Sequence, residues 1–272
     1  MELKTFLREF KQRTKYDFCD YSENSISRRL QKISDESGLS HEEILSKVET
    51  DKEFMMRVVE DITVNTTELF RDPPVWIALY KTLYKLLPRS AASITFWHIG
   101  CSVGLEVYSN LILLNELGLI DKCRIIGTDI NPRVLEKARD GVYAYNFNTY
   151  FRENFDRVMT GIGLKAKFED YFDIDEANDQ MRVKRKLTSK PQFMQMDLVQ
   201  DKPPFAYRVD VVFLRNVMIY FNNTLQLKIM SMVYNKMYDG ASLVFGKREA
   251  LPLSMRSRFE SKGQYYQKST IQ

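Results

Sequence analysis

Ile94-Thr95-Phe96-Trp97-His98-Ile99-Gly100-Cys101-Ser102-Val103-Gly104-Leu105-Glu106 is the stretch that decides the fold. Ile94 to Ile99 reads as a strand, two glycines turn the chain, and the run from Gly104 to Leu117 reads as a helix. The same alternation continues outward. Arg124 to Thr128 predicts a strand and Pro132 to Arg139 a helix; Gln192 to Met196 and Val209 to Leu214 predict strands. Thr224 to Tyr238 then predicts a helix and Ser242 to Phe245 a last strand. Continuous apolar strands alternating with helices imply a mostly parallel sheet covered on both faces, a doubly wound α/β domain.

On the N-terminal side the texture differs. Leu3, Phe6, Leu7 and Phe10 form one apolar face, Ile26, Leu30 and Ile33 a second, and Phe54, Met55, Val58, Val59 and Ile62 a third, all at helical spacing. Ser40, with Glu43 three residues on, has the pattern of a capping box. Asp72-Pro73-Pro74 opens a helix predicted from Val75 to Leu87, since proline is accepted in a first turn. Residues 1–70 are therefore set apart as an N-terminal helical domain and 71–272 as the α/β domain. Residues 141–190 fit no strand-helix alternation and predict an insertion. Six acids and no base between 168 and 179 abut five bases and no acid between 181 and 190, a pattern suited to a hairpin or an exposed loop.

Composition narrows the function. Of 272 residues 44% are apolar and 28% charged, with 11 Gly and 8 Pro, which excludes collagen, low-complexity disorder and a disulfide scaffold. Apolar runs such as Val211-Val212-Phe213-Leu214 are far short of the roughly 20 residues that span a bilayer. The start, Met1-Glu2-Leu3-Lys4, is no export signal, so a cytoplasmic location without membrane insertion is expected. A net charge of +4 is mild and predicts no nucleic-acid partner. Cys19, Cys101 and Cys123 are widely spaced and only His41 and His98 are histidines, so no metal site is expected. His98 lies in a strand without a partner for a triad and reads as a packed structural residue.

In an open α/β sheet the ligand sits beyond the carboxyl ends of the strands. The first strand ends on Gly100-Cys101-Ser102-Val103-Gly104, a glycine-containing turn that lacks the full dinucleotide spacing. The second ends on Asp129, an acid able to accept hydrogen bonds from both hydroxyls of a ribose. Glu106 directly behind the turn would repel a pyrophosphate but suits the ammonium of an amino acid. S-adenosylmethionine has the ribose and the amino group and no phosphate.

Four runs then carry a resemblance. Ile62-Thr63-Val64-Asn65-Thr66-Thr67-Glu68-Leu69-Phe70-Arg71, Gly100 to Ser109, Gly127-Thr128-Asp129-Ile130 and Leu214-Arg215-Asn216-Val217-Met218-Ile219-Tyr220-Phe221 resemble, in order and spacing, the motifs of CheR-type chemoreceptor glutamate methyltransferases. The resemblance covers nearly the whole chain. It implies an S-adenosylmethionine-dependent α/β domain behind an all-helical N-terminal domain, with a small antiparallel β-subdomain inserted at about residues 150–190. It further implies that Asn65, Thr67, Arg71, Glu106, Asp129, Arg215 and Asn216 line the cofactor pocket, with Asp197-Leu198 near the adenine, where the family usually has Asn-Leu. Arg71 and Tyr220 would face the substrate.

The implied reaction suits a histidine-poor chain. A glutamate carboxylate, with a reference pKa of about 4.3, is already ionised at neutral pH and needs no general base to attack a sulfonium methyl. Catalysis would come from holding two reactants in line. The expected partner is the cytoplasmic helical bundle of a chemoreceptor, docked by basic residues such as Arg28, Arg29 and Lys32, and the product is S-adenosylhomocysteine. A monomer is expected. Val103, Leu105 and Val107 stand where the family usually has Thr, Glu and Pro, and Gly246-Lys247-Arg248-Glu249 where it has Gly-His-Ser-Glu. The family members that dock a receptor tether pentapeptide carry closely spaced glycines in the β-subdomain; Phe172 to Asp179 has none, which argues against such docking. A second reading is a degenerate module of the same fold that binds cofactor or receptor without turnover.

Overall fold

The computed structural model describes residues 1–63, 67–87, 93–146 and 149–270. Four helices come first: α1 (Leu3–Arg13), α2 (Glu23–Ser37), α3 (His41–Thr50) and α4 (Lys52–Ile62). Phe6, Leu7 and Phe10 of α1 and Ile26, Leu30 and Ile33 of α2 are buried, the faces that the spacing predicts. On α4, Met56 is buried in place of the expected Met55. The capping box at α3 is present: Ser40 Oγ accepts from Glu43 N, and Glu43 Oε2 accepts from Ser40 N at 2.8 Å.

Helix α5 (Pro73–Thr82) stops five residues before the expected Leu87 and passes into a 3-10 turn, Tyr84–Leu86. Then follow β1 (Ile94–Ile99), α6 (Leu105–Glu116), β2 (Cys123–Asp129) and α7 (Pro132–Asp140). After β3 (Val142–Ala144), α8 (Thr149–Ile162), β4 (Phe172–Asp175), β5 (Gln180–Val183) and α9 (Arg185–Thr188), the main sheet resumes with β6 (Pro191–Gln195) and β7 (Val209–Leu214). It ends with α10 (Asn223–Lys236), β8 (Met237–Phe245), β9 (Phe259–Ser261) and β10 (Tyr266–Lys268).

The seven strands lie in the order β6-β2-β1-β7-β8-β10-β9. The first five are parallel, and β10 and β9 add an antiparallel edge. The sheet direction of travel reverses between β1 and β7, which is where a ligand crevice opens in such folds. Alternate residues of β1 serve two cores. Trp97 and Ile99 join the N-terminal helices and α10; Ile94 and Phe96 join α5, α6 and α8.

The small antiparallel sheet lies within residues 141–190. It begins at Val142, because β3 pairs antiparallel with β5, and it contains the whole of α8 between its strands. The acidic block leads into β4 and its turn, and the basic block runs from β5 into α9. Among the described residues, no helix is long and apolar enough to cross a membrane, and no cluster of three or more His, Cys, Asp or Glu could hold a metal ion.

Candidate functional site

One pocket gathers the carboxyl ends of the parallel strands. Its lining includes Thr67, Arg71, Gly100, Ser102, Glu106, Asp129, Leu198, Arg215, Asn216 and Tyr220. Asn65 falls outside the described residues. Asp197 is drawn aside. It lines a neighbouring polar cleft with Lys15, Tyr16, Gln195 and Asp201, and its oxygens accept from Val199 N and Gln200 Nε2, both at 2.8 Å.

The glycine turn is dictated by space. Gly100 has φ +67°, and a Cβ there would lie 2.5 Å from Val217 Cγ2 in the loop after β7. Gly104 has φ +85°, with Ala138 and Phe193 pressed against it. Only glycine takes that backbone at no steric cost. The turn delivers Leu105 into the core, 2% exposed, and Glu106 to the pocket wall.

Asp129, at the end of β2, is 8% exposed. Its Oδ2 accepts from Ser102 N at 2.8 Å and its Oδ1 from Asn131 N at 3.0 Å, which ties the two strand-end loops together and leaves further lone pairs toward the pocket. Burial pushes this carboxyl above the usual aspartate value, against the backbone N–H bonds that lower it.

Glu106 is held by both oxygens. His98 Nδ1 donates to Oε1 at 2.9 Å and Arg215 Nη1 to Oε2 at 3.0 Å. Burial raises the Glu106 carboxyl, but the His98 hydrogen bond and the Arg215 charge outweigh it, so the group ends below the usual glutamate value. Arg215 also donates from Nη2 to Arg71 O at 3.1 Å and to Asp72 Oδ2 at 3.3 Å, while Lys247 Nζ takes Asp72 Oδ1 at 2.8 Å. Asp72 is thus engaged by both Arg215 and Lys247.

Arg71 sits between two residues in the left-handed region, Phe70 at φ 48° and Asp72 at φ 61°. For a residue as bulky as Phe that backbone costs about 1–3 kcal/mol. The surroundings enforce it: Phe70 is fully buried edge-on to Trp76, its N–H donates to Ser109 Oγ at 2.8 Å, and Trp76 Nε1 donates to Arg71 O at 3.0 Å.

Tyr220 lines the same pocket. Its carbonyl accepts from Ser22 N at 2.8 Å, and the Arg29 guanidinium lies 5.1 Å from its ring centre. Arg29 also donates to Ile62 O at 2.6 Å, so it is built into the molecule instead of joining an exposed docking face with Arg28 and Lys32.

Three contributors escape the sequence reading. His98, expected to be structural, grips Glu106. Tyr21 comes from the N-terminal helical unit to line the pocket, its ring centre 4.9 Å from that of Phe221. Glu249 accepts four backbone N–H bonds, from Asn216, Val217, Met218 and Gly246 at 2.6–2.8 Å, and so fixes the turn in which Asn216 takes φ 62°. Its acid four residues after β8 was the available signal; Tyr21 had none.

These residues fit S-adenosylmethionine on their own chemistry. A buried strand-end acid without a cationic partner suits a ribose, and the acid at the head of α6 suits an ammonium.

Comparison with known proteins points the same way. Residues 65–267 match a family model described as the CheR methyltransferase SAM-binding domain, and residues 1–63 one described as the CheR methyltransferase all-alpha domain. The chain is similar to Cher3 of Pseudomonas putida, with 32% identity over 96% of this chain and 93% of that one. It is also similar to a chemotaxis protein methyltransferase of Vibrio parahaemolyticus, 29% identical over 77% of this chain and 73% of that one. Chemotaxis protein methyltransferase 1 of Pseudomonas aeruginosa is 27% identical, covering 83% and 81%.

Proposed function

The chain belongs to the CheR methyltransferase family, with S-adenosylmethionine as its methyl donor, and from that premise we propose that it methylates glutamate side chains on the cytoplasmic helices of a chemoreceptor. The observation that carries the reading is that Arg71 and Tyr220 line the same pocket as Glu106 and Asp129. Arg71 is presented between two residues in the left-handed region, and Arg215 and Lys247 are both paired with Asp72.

When bound, S-adenosylmethionine supplies an electrophilic methyl on a sulfonium. Asp129 would accept from the ribose hydroxyls, Glu106 would face the ammonium, and Leu198 would lie along the adenine. Arg71 orients the incoming carboxylate through its guanidinium, and Tyr220 donates one hydrogen bond to it. Neither group needs to move a proton, because the nucleophile is already charged. Arg28 and Lys32, exposed on α2, add long-range attraction to an acidic helix, which salt screens over about 8 Å at physiological strength. The hairpin turn from Glu176 to Asp179 contains no glycine, and a free receptor tether pentapeptide is expected not to bind.

The test is transfer of labelled methyl groups to receptor-containing membranes, followed by mild base. Carboxyl methyl esters release their label as methanol; a base-stable product would overturn the glutamate assignment. Arg71→Ala should lower transfer far more than it lowers S-adenosylhomocysteine affinity. Equal losses would make Arg71 a cofactor ligand only.

A further inference from the structure

A buried row of polar groups runs from the interior to the pocket wall. Tyr84 donates its hydroxyl to Asn110 Oδ1 at 2.7 Å, Asn110 Nδ2 donates to His98 Nε2 at 2.9 Å, and His98 Nδ1 donates to Glu106 Oε1 at 2.9 Å. His98 and Asn110 are wholly buried and Tyr84 is 1% exposed. Burying polar groups is unfavourable unless each finds a partner, and an apolar residue in β1 would fill the layer beside Ile94 and Phe96 without needing Asn110 or Tyr84. The arrangement has a different product.

We infer that His98 is a positioning residue, locked by Asn110 and Tyr84, that sets the orientation of the Glu106 carboxylate for the amino-acid end of the cofactor. This rests on the reading that Glu106 faces the ammonium. The geometry supports it in three ways. With Asn110 donating to Nε2, the imidazole proton is confined to Nδ1, the nitrogen that faces Glu106. The ring cannot swing, because it stacks on Phe213 with centroids 4.5 Å apart. Arg215 alone would hold one oxygen and leave the carboxylate free to rotate about its last torsion; His98 on the other oxygen fixes the plane, while each oxygen keeps a lone pair for a further donor.

Two probes separate positioning from bulk structural support. S-adenosylhomocysteine has the amino-acid end and 5′-methylthioadenosine lacks it. By calorimetry on the full chain, His98→Phe should weaken S-adenosylhomocysteine binding by about tenfold, the scale of a lost hydrogen bond to a charged group, and leave methylthioadenosine binding unchanged. His98→Gln, whose amide reaches toward Asn110 instead, should do the same and serves if the Phe variant does not fold. His98→Asn places an amide N–H where Nδ1–H stood, and should keep S-adenosylhomocysteine affinity within about threefold of the natural chain. Unchanged S-adenosylhomocysteine affinity in the folded His98→Phe or His98→Gln protein overturns the inference, as does an equal loss for both probes or a failure of Asn to rescue. Glu106→Gln distinguishes the underlying reading. If that change leaves S-adenosylhomocysteine affinity intact, the role of Glu106 itself is wrong; if it weakens binding while the His98 variants do not, only the inference falls.

Discussion

Asp129, buried, and Glu106, half-buried, are two acids with opposite electrostatic histories. For Asp129, burial outweighs its backbone hydrogen bonds and its carboxyl is raised above 3.8. A carboxyl raised on folding disfavours the charged native form as pH rises through that folded value, so ionised Asp129 is kept at a cost in stability. On the ribose reading, Asp129→Ala should weaken S-adenosylhomocysteine binding by about 1.5 to 3 kcal/mol, and unchanged affinity in calorimetry on a folded variant would sink that assignment. The same change strands the Ser102 and Asn131 N–H groups, so a modest loss of stability should accompany it.

Glu106 has the reverse sign. Its carboxyl is lowered from 4.5 on folding, so its contribution is full above the unfolded value and disappears as pH falls through the lower folded one. Urea midpoints measured between about pH 3 and pH 6 should drop in the natural chain and drop less steeply in Glu106→Gln. Parallel curves would show that the His98 and Arg215 contacts contribute nothing to acid stability.

At the scale of elements, helix α6 shows how one face can serve the core and the next the pocket wall. Leu105 and Val107 are 2% and 0% exposed, while Glu106 between them reaches the pocket. The family's usual Glu at 105 would therefore put a charge among Leu69, Val75 and their neighbours in the same core. Leu105→Glu alone should cost about 3 kcal/mol or more, seen as a lower denaturation midpoint. An unchanged midpoint would mean that the helix can rotate or the residue escape to water. The turn after β7 is an element of another kind. Its backbone N–H groups have no sheet or helix to bond, and Glu249, arriving from the neighbouring strand β8, satisfies them.

At the scale of the whole molecule the N-terminal helices are a wall of the site as well as a domain. Ser22 N donates to Tyr220 O, Asn222 N donates to Asp20 O at 3.0 Å, and a single bridge joins Tyr21 to Phe221. Tyr21, 9% exposed, wedges its ring between Phe18 and Phe221. Tyr21→Ala should cost about 3 kcal/mol of stability, as other large aromatic truncations do, and should also weaken S-adenosylhomocysteine binding. Intact affinity with reduced stability would make Tyr21 a packing residue only.

The sequence by itself determined what is local. The strand from Ile94 to Ile99, the glycine turn, Asp129 at its strand end and the buried faces of α1 and α2 are each fixed by neighbours a few residues apart, through periodicity and backbone sterics. The three-residue strands β3, β9 and β10 were not legible, because so short a run shows no alternation and its pairing is decided by the strand beside it. The partners of the site residues were also beyond local reading. Tyr21 meets Phe221, Arg29 meets Tyr220 and Glu249 meets Val217 only when the helical unit and the last strands close over the sheet. His98 and Glu106 are eight residues apart, but their hydrogen bond depends on the turn folding α6 back over the end of β1. Propensity acts along the chain and leaves that angle open; burial of the two cores on either side of the sheet sets it.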